Sequence, residues 1–295
     1  MVRQEGCRDM TRTSDSGRLT ASSRSRRDFS GRAGYLNGLS IVRNPVAWLR
    51  SDSVRFVIRG LKARFLDQEN EFRLIRKHVR AADLVCDIGA NKGSFVFWLS
   101  RWCRKGMVVA FEPQPSLANS LAGLCSRLGL DNVKVEAKAA FSRSGSSDLF
   151  VPKGQLPGAS LIGKARSAGE FETIRVPTVT LDEYFHSGVR VSLLKIDVEG
   201  AELDVFKGAE RILREQSPLL VFECENRHLE GTTVEDVFSY LRSLGYAGSF
   251  VCRDRLLPVS AFDASLHQKQ HGGRFWKDKD YCNNFVFAKT PVAEK

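Results

Sequence analysis

Two stretches of the chain set acids beside glycines directly after a short apolar run: Asp87-Ile-Gly-Ala-Asn-Lys-Gly93 and Lys195-Ile-Asp-Val-Glu-Gly-Ala-Glu202. Leu84, Val85 and Cys86 are too few for a helix and lead straight into the glycines, which predicts a buried parallel strand. Gly89 and Gly93 let the backbone turn tightly or approach a ligand, and Phe95 to Leu99 resumes apolar residues at helical spacing. Strand, glycine turn and helix together make the place where open α/β sheets bind nucleotides. A dinucleotide turn would read G-x-G-x-x-G around a pyrophosphate. Here the glycines are spaced G-x-x-x-G behind an acid, whose charge disfavours phosphate. The bland alternative is a glycine turn with no ligand, common in any α/β protein.

Met107 to Phe111 predicts the next strand, which ends in Glu112-Pro113. A carboxylate there can accept hydrogen bonds from both ribose hydroxyls, and its distance from Asp87 matches the roughly 20 residues seen for the equivalent acid in dinucleotide sites. Pro113 stops the strand. Two acids at successive strand ends suit a ligand with cationic centres and a hydroxylated ribose, and S-adenosylmethionine has both.

Val191 to Ile196 predicts another buried strand with Lys195 inside it. Asp197 and Glu199 then share one side of its mouth if the strand persists. Val205, Phe206, Ala209, Ile212 and Leu213 predict one helix from about 200 to 214, stopped by Pro218. Glu202 in its first turn complements the helix dipole. A helix cap for Asp197 and a first-turn position for Glu199 are the structural alternatives. Leu219 to Phe222 is a further strand ending in Glu223-Cys-Glu225-Asn226, which sets Glu223 beside Asp197 if the strands are neighbours. Asp197, Glu199 and Glu223 could orient an acceptor hydroxyl, take its proton or hold a divalent cation. An aliphatic hydroxyl is about as acidic as water, near 15.7, so an isolated carboxylate is a poor base unless proton and group transfer are concerted or a metal assists. Lys195 is available to pair with one of these acids.

These residues resemble FkbM-type methyltransferases, a branch of the S-adenosylmethionine-dependent class. The resemblance spans about 205 residues, Asp83 to Ala288, and rests on DLVCDIGANKGSF at 83 to 95, VVAFEPQPSL at 108 to 117, VPTVTLDEYF at 176 to 185, LLKIDVEGAELDVFKGAE at 193 to 210 and PLLVFECEN at 218 to 226. It implies a Rossmann-like α/β fold, a doubly wound and mostly parallel sheet, behind a helical N-terminal extension. It implies S-adenosylmethionine held by Asp87, Gly89, Asn91, Gly93 and Glu112, with Asp197, Glu199 and Glu223 at the acceptor. The acceptor class it implies is a hydroxyl of a sugar or other small polyhydroxylated metabolite, and a divalent metal stays undecided. Ala139-Ala140-Phe141-Ser142 resembles the family's adenine-side loop, with Ser142 or Arg143 near the position where that family often carries an acid.

The remaining elements must position these groups. Val133 to Ala140 predicts strand three. Leu149 to Val151 and Ile174 to Val179 predict a β pair around a Gly/Ser/Pro-rich loop, Pro152 to Gly169, either a closing lid or a surface insertion. Thr232 with Glu235 predicts a capping box, and Val234, Val237, Phe238, Leu241 and Leu244 the buried face of the helix it starts. Asn284 to Ala288 is the last strand. The segment from Arg253 to Cys282 is expected over the active-site end. His267 and His271 in it are four apart but lack the acid of a zinc-protease arrangement, which disfavours a metal.

At 295 residues the chain suits an extension at 1–35, N-terminal helices at 36–82 and one methyltransferase domain at 83–290. Its net charge of +11 is unevenly spread. Residues 1–35 carry eight Arg against four acids and 36–82 carry ten Lys or Arg against four, leaving 27 basic and 26 acidic residues in 83–295. A nearly neutral core disfavours a nucleic-acid substrate gripped by its phosphates, although a nucleic-acid-binding or RNA-modifying protein using the basic N-terminal third is the alternative reading. A nicotinamide-dependent dehydrogenase would share the architecture but needs the three-glycine turn. The Ser/Arg/Gly-rich start is expected to be disordered, and it lacks the apolar centre of a signal peptide. Val54, Val57, Ile58, Leu61 and Phe65 lie on one helical face, expected to pack on the domain; alternatively, residues 53–66 form a basic amphipathic helix for an anionic membrane. No apolar run approaches the roughly 20 residues of a membrane span. Seven cysteines with no CxxC pair point to a reduced cytoplasm.

Overall fold

A computed structural model describes residues 51–153, 159–162, 171–253, 255–273, 275 and 278–289. The expectations for 1–35, for 36–50 and for most of the Pro152–Gly169 loop lie outside the described residues.

Helices α1 (Asp52–Lys62) and α2 (Glu69–His78), joined by a π-helical turn at Ala63–Asp67, lead into β1 (Leu84–Ile88), α3 (Val96–Trp102), β2 (Met107–Phe111), α4 (Pro115–Arg127) and β3 (Val133–Glu136). After β4 (Ala139–Ala140), β5 (Gly145–Pro152), β6 (Phe171–Val179) and α5 (Leu181–Tyr184) come β7 (Val191–Ile196), α6 (Glu202–Lys207), α7 (Glu210–Glu215) and β8 (Leu219–Glu223). The chain closes with α8 (Val234–Ser243), β9 (Ala247–Cys252), β10 (Arg255–Pro258), α9 (Ala264–His267) and β11 (Asn284–Ala288).

The large sheet runs β10-β9-β11-β8-β7-β1-β2-β3. Its β3, β2, β1, β7 and β8 strands are parallel, and β11, β9 and β10 add an antiparallel edge. From β1 the chain steps outward to β2 and β3, then returns to β7 on the other side of β1. That reversal of strand order is the topological switch point, where the carboxyl ends of the strands open into a crevice. Alternate residues of β1 serve opposite faces: Cys86 and Ile88 join the core under α6, α7 and α8, while Val85 joins the core under α2 and α3. Asp87 shares the parity of Val85, so it belongs to the face on which the N-terminal helices lie.

Several local expectations are corrected. The stretch Val133 to Ala140 is not one strand: β3 stops at Glu136, and Ala139–Ala140 pairs with β6 in a second sheet of order β4-β6-β5. The helix expected at 200 to 214 is two, broken where Gly208 passes the end of β4 so closely that a Cβ there would lie 2.0 Å from the Phe141 carbonyl oxygen. The capping box is Thr233 with Asp236, one residue beyond the pair expected. The segment 253–282 folds into β10, a 3₁₀ turn and α9 rather than one long loop.

The N-terminal helix packs by a different face from the one expected. Phe56, Gly60 and Ala63 are buried, while Ile58, Leu61 and Phe65 are exposed. Gly60 decides this, because a Cβ there would meet the Phe97 ring at 2.7 Å, and its carbonyl accepts the Trp98 Nε1 hydrogen at 2.7 Å. Phe56 sets its ring edge-on to Phe97, centroids 5.7 Å apart. Among the described residues no helix is long and apolar enough to cross a membrane.

Candidate active site

The turn after β1 takes left-handed backbone at Gly89, Asn91 and Gly93, with φ of 78°, 48° and 77°. The Gly89 and Ala90 amides both donate to the Phe111 carbonyl, at 2.9 and 3.0 Å, which ties the turn to the end of β2. Glu112 completes the tie. Its Oε2 accepts the Asn91 amide at 2.8 Å and its Oε1 the Gln114 amide at 2.9 Å. Burial raises its pKa against the pull of these two hydrogen bonds. A carboxylate has about four lone-pair sites, so each oxygen keeps capacity for a ligand hydroxyl.

Asp87 on β1 stands in register with Lys195 on β7, which places both side chains on one face of the sheet. Burial pushes the Asp87 carboxyl up to about 6, partly offset by Lys195. Its Oδ1 is buried without a hydrogen-bond partner among the described residues, an acceptor that a bound donor would satisfy. Lys195 Nζ donates to Asp197 Oδ2 at 3.1 Å and lies 4.7 Å from the centre of the Phe95 ring. Burial disfavours its charge, yet Asp197, Asp87 and Glu223 outweigh burial and raise its pKa. Glu71 on α2, absent from the sequence-based set, is buried beside this group and is pushed up to about 7 by burial, partly offset by Lys195.

Two hollows flank the turn and share Gly89, Asn91, Gln114, Ala159 and Asp197. The smaller, about 140 Å³, is lined by Glu112, Lys138, Ala140, Leu149, Leu161 and Glu199. The larger, an open cleft of about 900 Å³, lies between the turn and α1 and is walled by Arg55, Arg59, Asp87, Ser94 and Lys195. Ser142, near the position of the missing adenine-side acid, donates instead to Asp204 at 2.5 Å.

Asp197 and Glu199 do not face one another across a continued strand. The strand ends at Ile196, the first helix beyond it starts only at Glu202, and Glu199 has φ of 53°, so neither acid is a cap or a first-turn residue. Asp197 turns to Lys195, and Glu199 turns to His228, whose Nδ1 lies 2.6 Å from Glu199 Oε2. Burial works against charge on His228, but Glu199 outweighs it and raises the imidazole pKa. Ser160 steadies this loop by donating to the Glu199 carbonyl at 2.6 Å. Glu202 is buried with Oε1 accepting the Gly200 amide at 3.0 Å and Oε2 without a hydrogen-bond partner among the described residues, and burial pushes it to about 7, so it does more than complement a helix dipole.

β8 is the parallel neighbour of β7, which brings Glu223 near Asp197 as the strand order requires. Burial, with Asp197, Glu199 and Glu225 nearby, raises the Glu223 pKa well above the carboxylate range. Asn283 bridges it to Glu225, donating to Glu223 Oε1 at 2.7 Å and to Glu225 Oε1 at 3.1 Å. Glu225 is buried, yet hydrogen bonds from Arg227 and the Tyr281 hydroxyl outweigh burial and hold it at about 2. His228, Arg227 and Asn283 are absent from the sequence-based set; for the first two the visible signal was the polar run Glu223 to His228 at a strand end, and Tyr281 comes from the segment expected over the active-site end. Among the described residues no group of three or more His, Cys, Asp or Glu side chains is arranged to hold a metal. His267 hydrogen-bonds within the Asp263 turn and stacks on Phe262, a packing role.

The residues present fit S-adenosylmethionine by three observations. Asp87 offers an unsatisfied buried acceptor for a cationic amino-acid end. Glu112 keeps lone pairs for a ribose. Gly89 leaves the turn bare of side chain, with Asp197 directly behind it.

Comparison with known proteins agrees. The model of the methyltransferase FkbM domain matches residues 87–247, more than half of the chain. Methyltransferase sdnD of Sordaria araneosa is 31% identical over 158 residues, covering 43% of this chain and 60% of that protein. Hexuronic acid methyltransferase AglP of Haloferax volcanii is 26% identical over 188 residues, covering 61% of this chain and 74% of that protein. The match to the first relative thus spans less than two thirds of its length. An FkbM methyltransferase from Methylobacillus flagellatus KT superposes with a TM-score of 0.45 at 16% identity, covering 81% of this chain and 55% of that one. A SAM-dependent O-methyltransferase from Thermotoga maritima gives 0.39 at 14% identity, covering 83% and 73%. At these scores the fold assignment rests on the strand order and the family match. The methyl donor of this class is S-adenosylmethionine, and the chain belongs to the FkbM family of methyltransferases.

Proposed function

We propose that the protein transfers a methyl group from S-adenosylmethionine to a hydroxyl of a sugar or other small polyhydroxylated metabolite. The observation that carries the cofactor geometry is the acid-lined turn, with Asp87 unsatisfied on one side and Glu112 latched to Asn91 on the other. In this reading Asp87, Gly89, Asn91, Gly93 and Glu112 hold the donor. S-adenosylmethionine, when bound, supplies an electrophilic methyl group.

Asp197, Glu199 and Glu223 then serve the acceptor. Glu199, steadied by His228, accepts a hydrogen bond from the reacting hydroxyl, orients its oxygen for in-line attack and takes its proton as the O–C bond forms and the donor's S–C bond breaks to leave S-adenosylhomocysteine. Glu223, whose pKa is raised by burial and by the acids around it, hydrogen-bonds a second hydroxyl, and Asp197, while paired with Lys195, keeps lone pairs for the acceptor. Paired donors and acceptors of this kind suit vicinal hydroxyls, and the similarity to a hexuronic acid methyltransferase supports a carbohydrate acceptor.

Calorimetric titration with S-adenosylhomocysteine, with NAD in parallel, tests the donor site. Binding of the former alone is expected. Transfer of labelled methyl to a panel of free and nucleotide-linked sugars then tests the acceptor class; labelling of RNA but of no sugar would overturn it.

A further inference from the structure

The N-terminal helix α1 is a wall of the larger cleft, and the wall is built rather than incidental. A Cβ on Gly93 would meet the Phe56 ring at 2.7 Å, and one on Gly60 would meet Phe97 at the same distance, so helix and glycine turn are in direct contact. On this wall stands Arg59, half-buried, with its Nη1 donating to the Lys92 carbonyl at 2.8 Å across the turn. That one hydrogen bond fixes the guanidinium at the rim of the cleft that also contains Asp87, Asn91, Ser94 and Lys195.

Two other cations of the cleft have acid partners. Lys195 pairs with Asp197 at 3.1 Å, and the exposed Arg55 sits 3.8 Å from Asp52. Arg59 forms no ion pair among the described residues. Burial lowers its pKa, and the Asp52 carboxylate, which the same helix shares with Arg55, offsets this only in part. A guanidinium has five donors in a planar fork that matches a carboxylate, and Arg59 commits one of them to Lys92.

We infer that Arg59 is the anchor of a carboxylate-binding subsite that the N-terminal helix contributes to the cleft, with the exposed Lys92 at its rim. The inference rests on the cofactor reading above. Two ligands would bring that chemistry: the α-carboxylate at the amino-acid end of the donor, and a carboxylate on the acceptor, such as that of a uronic acid. Because Asp87 already offers the cleft an unsatisfied acceptor, a zwitterionic amino-acid end placed between Asp87 and Arg59 would have both of its charges answered.

Calorimetric titration of the full chain separates the sources. The probes are S-adenosylhomocysteine, 5′-methylthioadenosine, which lacks the amino-acid carboxylate, and glucuronate added to protein saturated with S-adenosylhomocysteine. The proteins are wild type, Arg59→Gln and Arg59→Lys, each checked for an unchanged thermal unfolding midpoint. If the donor's carboxylate is bound, Arg59→Gln weakens S-adenosylhomocysteine about tenfold or more and leaves 5′-methylthioadenosine unchanged, and Arg59→Lys recovers part of the loss. If an acceptor carboxylate is bound, Arg59→Gln leaves S-adenosylhomocysteine unchanged and abolishes glucuronate binding. Equal weakening of both adenosyl ligands, or no change in any ligand, overturns the inference. Wild-type protein that binds neither adenosyl ligand overturns the cofactor reading beneath it, and the inference with it.

Discussion

Gly89 and Asp197 touch through their backbones: a Cβ on Gly89 would lie 1.8 Å from the Asp197 carbonyl oxygen, and the Asp197 amide donates to the Ile88 carbonyl at 2.9 Å. The two chemistry-bearing loops of the sequence, 108 residues apart in the chain, are therefore one unit at the switch point. Gly89→Ala must strain both, since its φ of 78° is also left-handed. A loss of roughly 2–4 kcal/mol is expected, which lowers the unfolding midpoint by about 5–10 °C. S-adenosylhomocysteine binding should fall with it. Calorimetry at unchanged stability and affinity would contradict the geometry.

Glu112 latches the Asn91 amide and, in the proposed reading, also serves a ribose; one conservative variant addresses both. In Glu112→Gln a single amide oxygen must replace two carboxylate oxygens, so one of the Asn91 and Gln114 amides loses its acceptor. Destabilisation of about 1–3 kcal/mol is expected. The ribose role predicts a loss beyond this: about tenfold weaker S-adenosylhomocysteine measured well below the unfolding midpoint. A folded Glu112→Gln or Glu112→Ala protein with wild-type affinity would remove Glu112 from the site.

If Asp87 holds the donor as proposed, donor binding is expected to depend on pH. Its folded pKa of about 6 lies above the unfolded value near 3.9, so the folded chain holds this proton more tightly. Its contribution to stability therefore declines as pH rises from about 4 to 6. A cationic ligand beside it favours the carboxylate and expels the proton. Binding of S-adenosylhomocysteine should release a fraction of a proton at pH 6 and none at pH 8, read from calorimetry in buffers of different ionisation enthalpy. Proton uptake at pH 6, or no linkage at all, would separate Asp87 from the ligand's charge.

His228 should titrate as Glu199 dictates. Because Glu199 raises its folded pKa, the stability it contributes is complete below the unfolded value near 6.5 and is lost as pH rises through the folded value. Glu199→Gln is expected to lower the His228 pKa in NMR titration and to erase that pH dependence. In the methyl-transfer assay it should cut kcat more than KM for the acceptor. An unmoved His228 titration would mean the pair does not form in solution.

The sequence alone was sufficient for four central strands and for the acids at their ends. Leu84 to Cys86, Met107 to Phe111, Val191 to Ile196 and Leu219 to Phe222 are apolar runs whose neighbours along the chain already specify buried strands, and Asp87, Glu112, Asp197 and Glu223 follow at fixed positions. Strand parity then puts Asp87 with Lys195, because side-chain direction is a local property. Tertiary structure alone decided what was not local. Helix α1 has apolar residues on two faces, so periodicity could not say which is buried; Gly60 and Phe97, brought together by folding, buried Phe56 and Ala63 and left Ile58, Leu61 and Phe65 outside. The same holds for Glu199 with His228, Asn283 across Glu223 and Glu225, and Arg59 across Lys92. Each joins segments with no shared periodicity, and a single polar residue carries no sign of its partner until packing removes the water that would otherwise satisfy it.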